Sequence, residues 1–367
     1  MIKGKNSRRN FLATLATTGA VATTQFTPLA SLASPSDLKH ELNKPRNPDE
    51  PIRIISILKL TDAEIAQIKS AGKNIELVVV HNANDPKPFA DAEVIIGDRD
   101  GSMIPHAKKL KWLQTQAAGM ENTPRTIIEH PCILTNMQRV FAPVIAETAI
   151  GLLLSLTRGL TQVSIPAISQ KKWMQVPSGF ALEDLYGKTI GIVGMGGIGS
   201  ETARRLHYGF NMRVLSIDPK PLPKPHFVEE LHDPGWFMQM VPQVDVLMSA
   251  APLTKETKGM FNDEVFQKMK PSAYFINVSR GGLVDQDALV RALKDKRIRG
   301  AGLDVTTPEP LPPDNALWTC PNVVITPHNS GEAPIRRVRL IQLIAENVRR
   351  YSNGLPLMNV VDKVKGY

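Results

Sequence analysis

The apolar run Ile190-Gly191-Ile192-Val193 is followed at once by Gly194-Met195-Gly196-Gly197-Ile198-Gly199, and residues 200–208 continue with helical periodicity. A strand, a glycine turn and a helix in that order admit few folds. Glycine at the first position permits the tight turn, and at the second it lets a phosphate approach the backbone. At the third it lets the helix close on the strand. The first helical turn then presents unpaired N–H groups that suit an anion. A lone G-x-G-x-x-G often marks nothing more than a tight turn; here its place between strand and helix makes it a dinucleotide cradle. Asp218 ends the next apolar run, 213–217, nineteen residues past Gly199. A carboxylate there accepts hydrogen bonds from adenosine ribose hydroxyls and repels a 2′-phosphate, which favours NAD over NADP. Lys220, two residues on, is able to pair with such a phosphate and so weakens that preference. A Rossmann fold holding another nucleotide or a flavin is the alternative.

On both sides of this unit, short apolar runs alternate with helical stretches. Residues 52–58, 75–80, 94–96 and 111–115 read as strands, with a helix at 62–71. Further strands fall at 244–248, 273–277, 300–304 and 323–326, giving six in the second group with 190–193 and 213–217. Such alternation builds α/β layers on parallel sheets. The apolar stretch 144–160, which contains Glu147, bridges two lobes, and 333–352 closes the chain as a helix. The expected architecture is two Rossmann-like or flavodoxin-like lobes with doubly wound parallel sheets and the active site in the cleft between them. Residues 51–142 plus 330–367 are expected to form a discontinuous substrate-binding domain, and 143–329 the NAD-binding domain. A polar, Pro-containing linker precedes them at 34–50. At 367 residues and 42% hydrophobic, the chain is long enough for both.

Residues 1–33 read as an address. Ser7-Arg8-Arg9-Asn10-Phe11-Leu12 is a twin-arginine pattern, an Ala/Thr-rich apolar run follows it, and Ser31-Leu32-Ala33 offers small residues for cleavage. This resembles a Tat export signal, read by the export machinery, and implies a periplasmic or otherwise exported protein. Its Thr and Gly content makes it too weakly apolar for a membrane helix. Tat systems move proteins already folded, so a chain that takes up its cofactor in the cytoplasm has reason to use one. The formal charge of +9 falls to +5 without Lys3, Lys5, Arg8 and Arg9. The remaining basic residues are scattered, and no zinc-finger, homeodomain or RNA-recognition pattern accompanies them, which argues against nucleic acid. Cys132 and Cys320 lie outside any CxxC spacing and read as small apolar residues before a disulfide; no metal-ligand cluster is evident.

Three polar segments fall at predicted strand ends of the second lobe, where ligands sit in open α/β sheets. They are Asn277-Val278-Ser279-Arg280-Gly281-Gly282, Asp304-Val305-Thr306-Thr307-Pro308-Glu309-Pro310 and Thr326-Pro327-His328-Asn329-Ser330-Gly331. Taken singly, Arg280 reads as a surface ion pair, Glu309 as a loop charge and His328 as a satisfied histidine. Together they are what hydride transfer at a 2-oxo or 2-hydroxy acid needs. A guanidinium grips the carboxylate through a planar fork, an imidazole exchanges the hydroxyl proton, and a carboxylate beside it sets its tautomer.

The stretch from Leu185-Tyr186-Gly187-Lys188 to Gly196, Val278-Ser279-Arg280-Gly281-Gly282-Leu283-Val284-Asp285, and the Pro308-Glu309-Pro310 and Thr326-Pro327-His328 segments resemble the D-2-hydroxyacid dehydrogenase family over residues 50–360. The resemblance implies that Arg280, Glu309 and His328 are catalytic. It places Asp304, Ser279, His328 and Ser330 near the cofactor, and Ala251, Pro252 and Thr254 along its nicotinamide side. The Ala117-Ala118-Gly119 turn with Met120 would offer backbone N–H groups to the substrate carboxylate, and a homodimer would form through the cofactor lobes. Two positions depart from the pattern: Met120-Glu121 stands where many members have Val-Asp, and Thr148 follows Glu147 where members often carry an aromatic residue or His. The expected activity is NAD-dependent interconversion of a small 2-oxo acid and its D-2-hydroxy acid. An idle NAD(H)-binding sensor or docking protein on the same fold is the alternative. Formate dehydrogenase is disfavoured, since its relatives carry Gln where Glu309 stands, and a phosphorylated substrate has only Arg99 to recommend it.

Overall fold

A computed structural model describes residues 49–81, 85–178 and 181–367; the twin-arginine leader and most of the expected linker lie outside them. β1 (Ile52–Ser56), β2 (Ile75–Val79), β3 (Val94–Ile96), β4 (Trp112–Gln114) and β5 (Ile133–Thr135) form one parallel sheet in the order β2-β1-β3-β4-β5. β3, β4 and β5 are buried at every residue, as strands covered on both faces must be. The second sheet holds β6 (Thr189–Val193), β7 (Arg213–Ile217), β8 (Glu230–His232), β9 (Val246–Ser249), β10 (Tyr274–Asn277), β11 (Gly300–Leu303) and β12 (Val323–Ile325). All its pairs are parallel, in the order β12-β11-β10-β9-β6-β7-β8. Strand order therefore reverses between β6 and β9, and the carboxyl ends on either side of that switch point leave a crevice.

The expected pair of parallel-sheet lobes is thus present, with two strands beyond those read from the sequence. β5 is a three-residue run too short to show periodicity. β8 is an edge strand, Glu230-Leu231-His232, whose only apolar residue is Leu231; its pairing with β7 makes it a strand. Helix ends also move by a few residues. The helix expected at 144–160 runs from Ala142 to Thr157 and stops before Gly159, which takes a left-handed φ of +63°. The helix expected from Ser200 begins at Gly197, because the glycine loop itself makes the first turn.

Four helices matter for the site: α1 (Asp62–Lys69), α2 (Ala142–Thr157), α3 (Gly197–Phe210) and α4 (Ile335–Ser352). α2 packs against α3, β10 and β11. α4 lies on the first sheet: Leu340, Ile341, Ile344, Val348 and Tyr351 share a core with Ile52, Ile54, Val94 and Trp112. Each such aliphatic side chain contributes about 1.5–3 kcal/mol on burial. A polar chain also crosses this interface. The Trp112 indole donates to Thr135 Oγ1 (2.7 Å), Thr135 donates to Gln114 Oε1 (2.8 Å), and Asn347 from α4 donates to the same oxygen (3.1 Å). Both cysteines are free, Cys132 buried and Cys320 half-buried. Among the described residues no single helix is long and apolar enough to cross a membrane.

Where α4 meets α1, Arg337 forks onto Glu64 at 2.6 and 2.7 Å. Glu64 also closes a capping box with Thr61, accepting from the Thr61 N–H at 2.8 Å. The Arg337 hydrogen bond holds the Glu64 carboxyl down at about 2, below its usual 4.5. A depressed carboxylate pKa contributes stability above the unfolded-state value and loses it as pH falls through the folded one. Glu64→Gln is therefore expected to lower stability by about 1 kcal/mol at neutral pH, Arg337 being well solvated. Urea unfolding at a series of pH values checks this: the gap to wild type should close between 4.5 and about 2.

Candidate active site

The glycine loop leaves β6 and turns over the end of β9. Gly194 has φ +98°, and a Cβ on it would lie 2.9 Å from the Ala250 carbonyl oxygen. At Gly199 a Cβ would lie 2.0 Å from the Gly194 carbonyl oxygen, so no other residue lets α3 sit so near its strand. Gly196 differs: no atom comes within 4 Å of the position a Cβ would take, and the space above the N-terminus of α3 is open. Asp218, at the end of β7, accepts from the Met195 N–H through Oδ2 and from the Lys220 N–H through Oδ1, each at 2.8 Å. Across the crevice, Ala251 is buried beside Gly194, and the Pro252–Thr254 turn is pinned by Thr257, whose hydroxyl donates to the Pro252 carbonyl at 2.7 Å. Gly194, Met195, Gly196, Gly197, Ile198, Gly199, Asp218, Ala251, Pro252 and Thr254 thus border one crevice at the switch point. An open cradle, a helix N-terminus and a carboxylate at the next strand end fit the pyrophosphate and ribose of a dinucleotide.

Two further strand ends carry Glu309 and His328. Asp304, following β11, is 1% exposed and fully engaged. Its Oδ1 accepts from Thr326 Oγ1 (2.6 Å) and the Asn329 N–H (3.1 Å), and both oxygens accept from the Ser330 N–H (3.2 Å). Its backbone carbonyl accepts from the His328 N–H at 2.9 Å. His328 takes φ +51°, a region costly for a residue with a side chain. The bonds to Asp304 hold it there. The ring meets Glu309, with Nδ1 2.8 Å from Oε2, and Glu309 Oε1 accepts from the Thr306 N–H at 3.0 Å. Both side chains remain well exposed, His328 at 46% and Glu309 at 37%, so the pair is open to solvent. Asp304 and Ser330, expected near the cofactor, are buried here as the frame of the histidine turn.

Arg280 follows β10. A Cβ on Gly281 would lie 1.9 Å from the Thr306 carbonyl oxygen, so the arginine loop rests directly on the loop that carries Glu309. Ser279, also expected at the cofactor, is buried, and its hydroxyl is occupied by Ser249 (2.7 Å) and Asn277 (3.0 Å). Asn277 donates in turn to the Arg280 carbonyl at 3.0 Å. From the first lobe, the Ala118–Gly119–Met120 turn is held by Asn136, which donates to the Ala118 carbonyl at 2.8 Å, and by the Met137 N–H, which donates to the Ala117 carbonyl. A Cβ on Gly119 would come 2.0 Å from Arg280 Nη2. The turn and the arginine therefore meet across the cleft.

Two residues at the site escaped the sequence reading. Glu121, noted only as a departure from a family pattern, pairs with Arg280. Burial pushes its carboxyl up, but the Arg280 hydrogen bond and charge, with Arg99's charge beyond, more than offset this and hold it below the usual carboxylate range. Arg139, at φ +73°, lies against Gly197, its Cγ 2.9 Å from where a Cβ would stand. No periodicity or spacing marks either; each matters through a neighbour more than fifty residues away.

Comparison with known proteins agrees with this geometry. The family profile described as D-isomer specific 2-hydroxyacid dehydrogenase, NAD binding domain, matches residues 150–330. The chain is 34% identical to a glyoxylate reductase of Korarchaeum cryptofilum over 270 residues, covering 72% of this chain and 80% of that protein. Among solved structures, a D-isomer specific 2-hydroxyacid dehydrogenase family protein from Aeromonas salmonicida superposes with a TM-score of 0.70 at 27% identity, covering 86% of this chain and all of that one. The NADPH-dependent glyoxylate/hydroxypyruvate reductase of Sinorhizobium meliloti, in complex with NADP and malonate, gives 0.66 at 27% identity, covering 86% and 98%. That last complex removes the ranking of NADP below NAD. The physical reason lies in Lys220, two residues past Asp218, a cation able to pair with a 2′-phosphate beside that carboxylate. The supported assignment is a nicotinamide dinucleotide.

Asp304→Ala is expected to leave the Asn329 and Ser330 N–H groups without acceptors and free the strained histidine turn. A loss of about 3 kcal/mol should appear in urea unfolding; a stability within experimental error of wild type would contradict the framing role given to Asp304.

Proposed function

The chain belongs to the D-isomer specific 2-hydroxyacid dehydrogenase family, and from that premise we propose that it interconverts a small 2-oxo acid and its D-2-hydroxy acid. Substrates of the glyoxylate, hydroxypyruvate or pyruvate type are the ones the site suits. The observation that carries the reading is the His328–Glu309 pair, 2.8 Å apart, on loops against which the Arg280 loop rests. An idle binding protein has no use for that arrangement.

In this reading Arg280 forks onto the substrate carboxylate, and the backbone N–H groups of Gly119 and Met120 complete its seat. Glu309 occupies Nδ1 of His328. That leaves Nε2 to give a proton to the carbonyl oxygen in reduction and to take it back from the hydroxyl in oxidation. Glu309 also fixes the orientation of the ring through the Nδ1 contact. The glycine loop, the N-terminus of α3, Asp218 and the Ala251–Thr254 turn would hold the dinucleotide, with Arg139 adding positive charge beside the pyrophosphate. When bound, the nicotinamide supplies or accepts the hydride. The choice between NAD and NADP rests on the balance of Asp218 against Lys220.

Two further proposals concern the protein's setting. Ser7-Arg8-Arg9-Asn10-Phe11-Leu12 would direct export through the Tat machinery. A homodimer would cover Leu160, Ile165, Ile168, Trp173, Val176 and Leu182, all exposed within one stretch and Trp173 by 91%. Cell fractionation of an Arg8→Lys/Arg9→Lys variant tests the first, and retention in the cytoplasm is expected. Sedimentation of Trp173→Glu tests the second; a shift toward monomer is expected, and a dimer as tight as wild type counts against it.

Steady-state assay with NADH and with NADPH across a panel of 2-oxo acids tests the activity. Turnover yielding the D-hydroxy acid is expected, and its absence on every acid with cofactor binding intact would sink the reading. His328→Ala should lower kcat by about 10²–10⁴-fold while leaving NADH or NADPH affinity unchanged.

A further inference from the structure

Glu121 and Arg280 meet from opposite sides of the cleft. Glu121 lies beyond β4 in the first lobe, and Arg280 follows β10 in the second. Arg280 donates through Nε to Glu121 Oε1 and through Nη1 to the Ser279 carbonyl at 2.7 Å. Both side chains press on Gly119: a Cβ there would come 2.0 Å from Arg280 Nη2 and 2.5 Å from Glu121 Oε2. A carboxylate of the protein's own thus stands against the guanidinium and over the Ala118–Met120 turn, the place where the activity proposed above puts the carboxylate of the substrate.

We infer that Glu121 is an internal stand-in for the substrate carboxylate, a latch that holds Arg280 across the empty cleft and is displaced when a 2-oxo acid binds. The inference rests on the reading of Arg280 as the carboxylate clamp. Partial exposure of the pair, together with the chemistry of the competing ligand, favours a displaceable latch over a permanent prop. The paired side chains keep 31% and 25% of their surface in solvent, and ion pairs that retain water are weak. A substrate offering a bidentate carboxylate together with an adjacent carbonyl outcompetes such a partner. The displaced carboxylate also has somewhere to go. Arg99 lines the same small cavity as Gly119, Met120, Glu121 and Thr123, and its charge already reaches Glu121.

The consequence is a competition written into the apparent affinity. Only the fraction of molecules with Arg280 released is ready for substrate, and the dissociation constant rises by the inverse of that fraction. For a weak pair the factor is about five. The latch would also keep stray anions off the arginine while the cleft is empty, and would tie the two lobes together between turnovers.

Glu121→Gln keeps the shape and removes the charge. The probe is oxamate, a non-reacting analogue of a 2-oxo acid, titrated by calorimetry into protein saturated with NADH or NADPH. The dissociation constant should fall about five-fold, and KM for the reacting acid should fall with it while kcat does not rise by the same factor. Glu121→Asp, one methylene shorter, should fall between wild type and Glu121→Gln, and it serves if the Gln variant fails to bind the dinucleotide. Unchanged or weaker oxamate binding in both variants overturns the latch, since Glu121 would then stay on Arg280 in the liganded site. Arg99→Gln should weaken oxamate binding only while Glu121 is present; an equal effect in the double variant overturns the hand-over to Arg99. Absence of turnover on every 2-oxo acid in the wild type would instead refute the proposed activity, whichever residue stands at 121.

Discussion

The geometry of the second lobe depends on how closely α3 approaches β6. With the Gly194 carbonyl 2.0 Å from the place a Cβ on Gly199 would take, that approach tolerates no side chain. It aims the N-terminus of α3 into the crevice where strand order reverses, between β6 and β9. The ends of β7 and β9 deliver Asp218 and the Ala251–Thr254 turn to the same crevice. Further along the sheet, β10, β11 and β12 deliver Arg280, Glu309 and His328. Parallel strands with all carboxyl ends on one edge make this convergence unavoidable.

The exposed side chains of the site are held by buried polar groups beneath them. Asp304 spends its carboxylate on the turn that keeps His328 at a positive φ. Ser249, Ser279 and Asn277 form a buried chain beneath Arg280. Gly281 brings the arginine loop onto the loop that carries Glu309. An unsatisfied buried group costs about 1–3 kcal/mol, so each of these networks keeps its exposed neighbour in one arrangement. The first lobe contributes differently. It brings a turn and a carboxylate across an open cleft, and its attachment is renewed at the far end of the chain, where α4 docks through Arg337 and Asn347.

Most of the sheet framework was legible in the linear pattern, because buried parallel strands are short apolar runs and the helices between them carry a distinct period. The exceptions follow from the same physics. β5 has three residues and β8 a single leucine, and each is a strand through its neighbour's pairing. At the site, Arg280, Glu309 and His328 were visible as polar groups at strand ends. Asp304 and Ser279 were expected near the cofactor; that their polar atoms also bond within the framework was not visible in the sequence. Glu121 carried no sequence signal beyond its difference from a related pattern.

By itself the sequence determined that the chain makes two parallel α/β lobes, that one of them cradles a dinucleotide, and which three side chains have the makings of an acid–base and anion-gripping set. These are properties of local pattern: hydrophobic period, glycine spacing and residue type at strand ends. Only the tertiary structure decided that the carboxylate of Glu121 lies on Arg280, that Arg139 faces the start of α3, and that the oxygens of Asp218 are already engaged. Each of these is a contact between segments remote in the chain. Such contacts depend on how two lobes and several loops come to rest against one another, and no local periodicity encodes that.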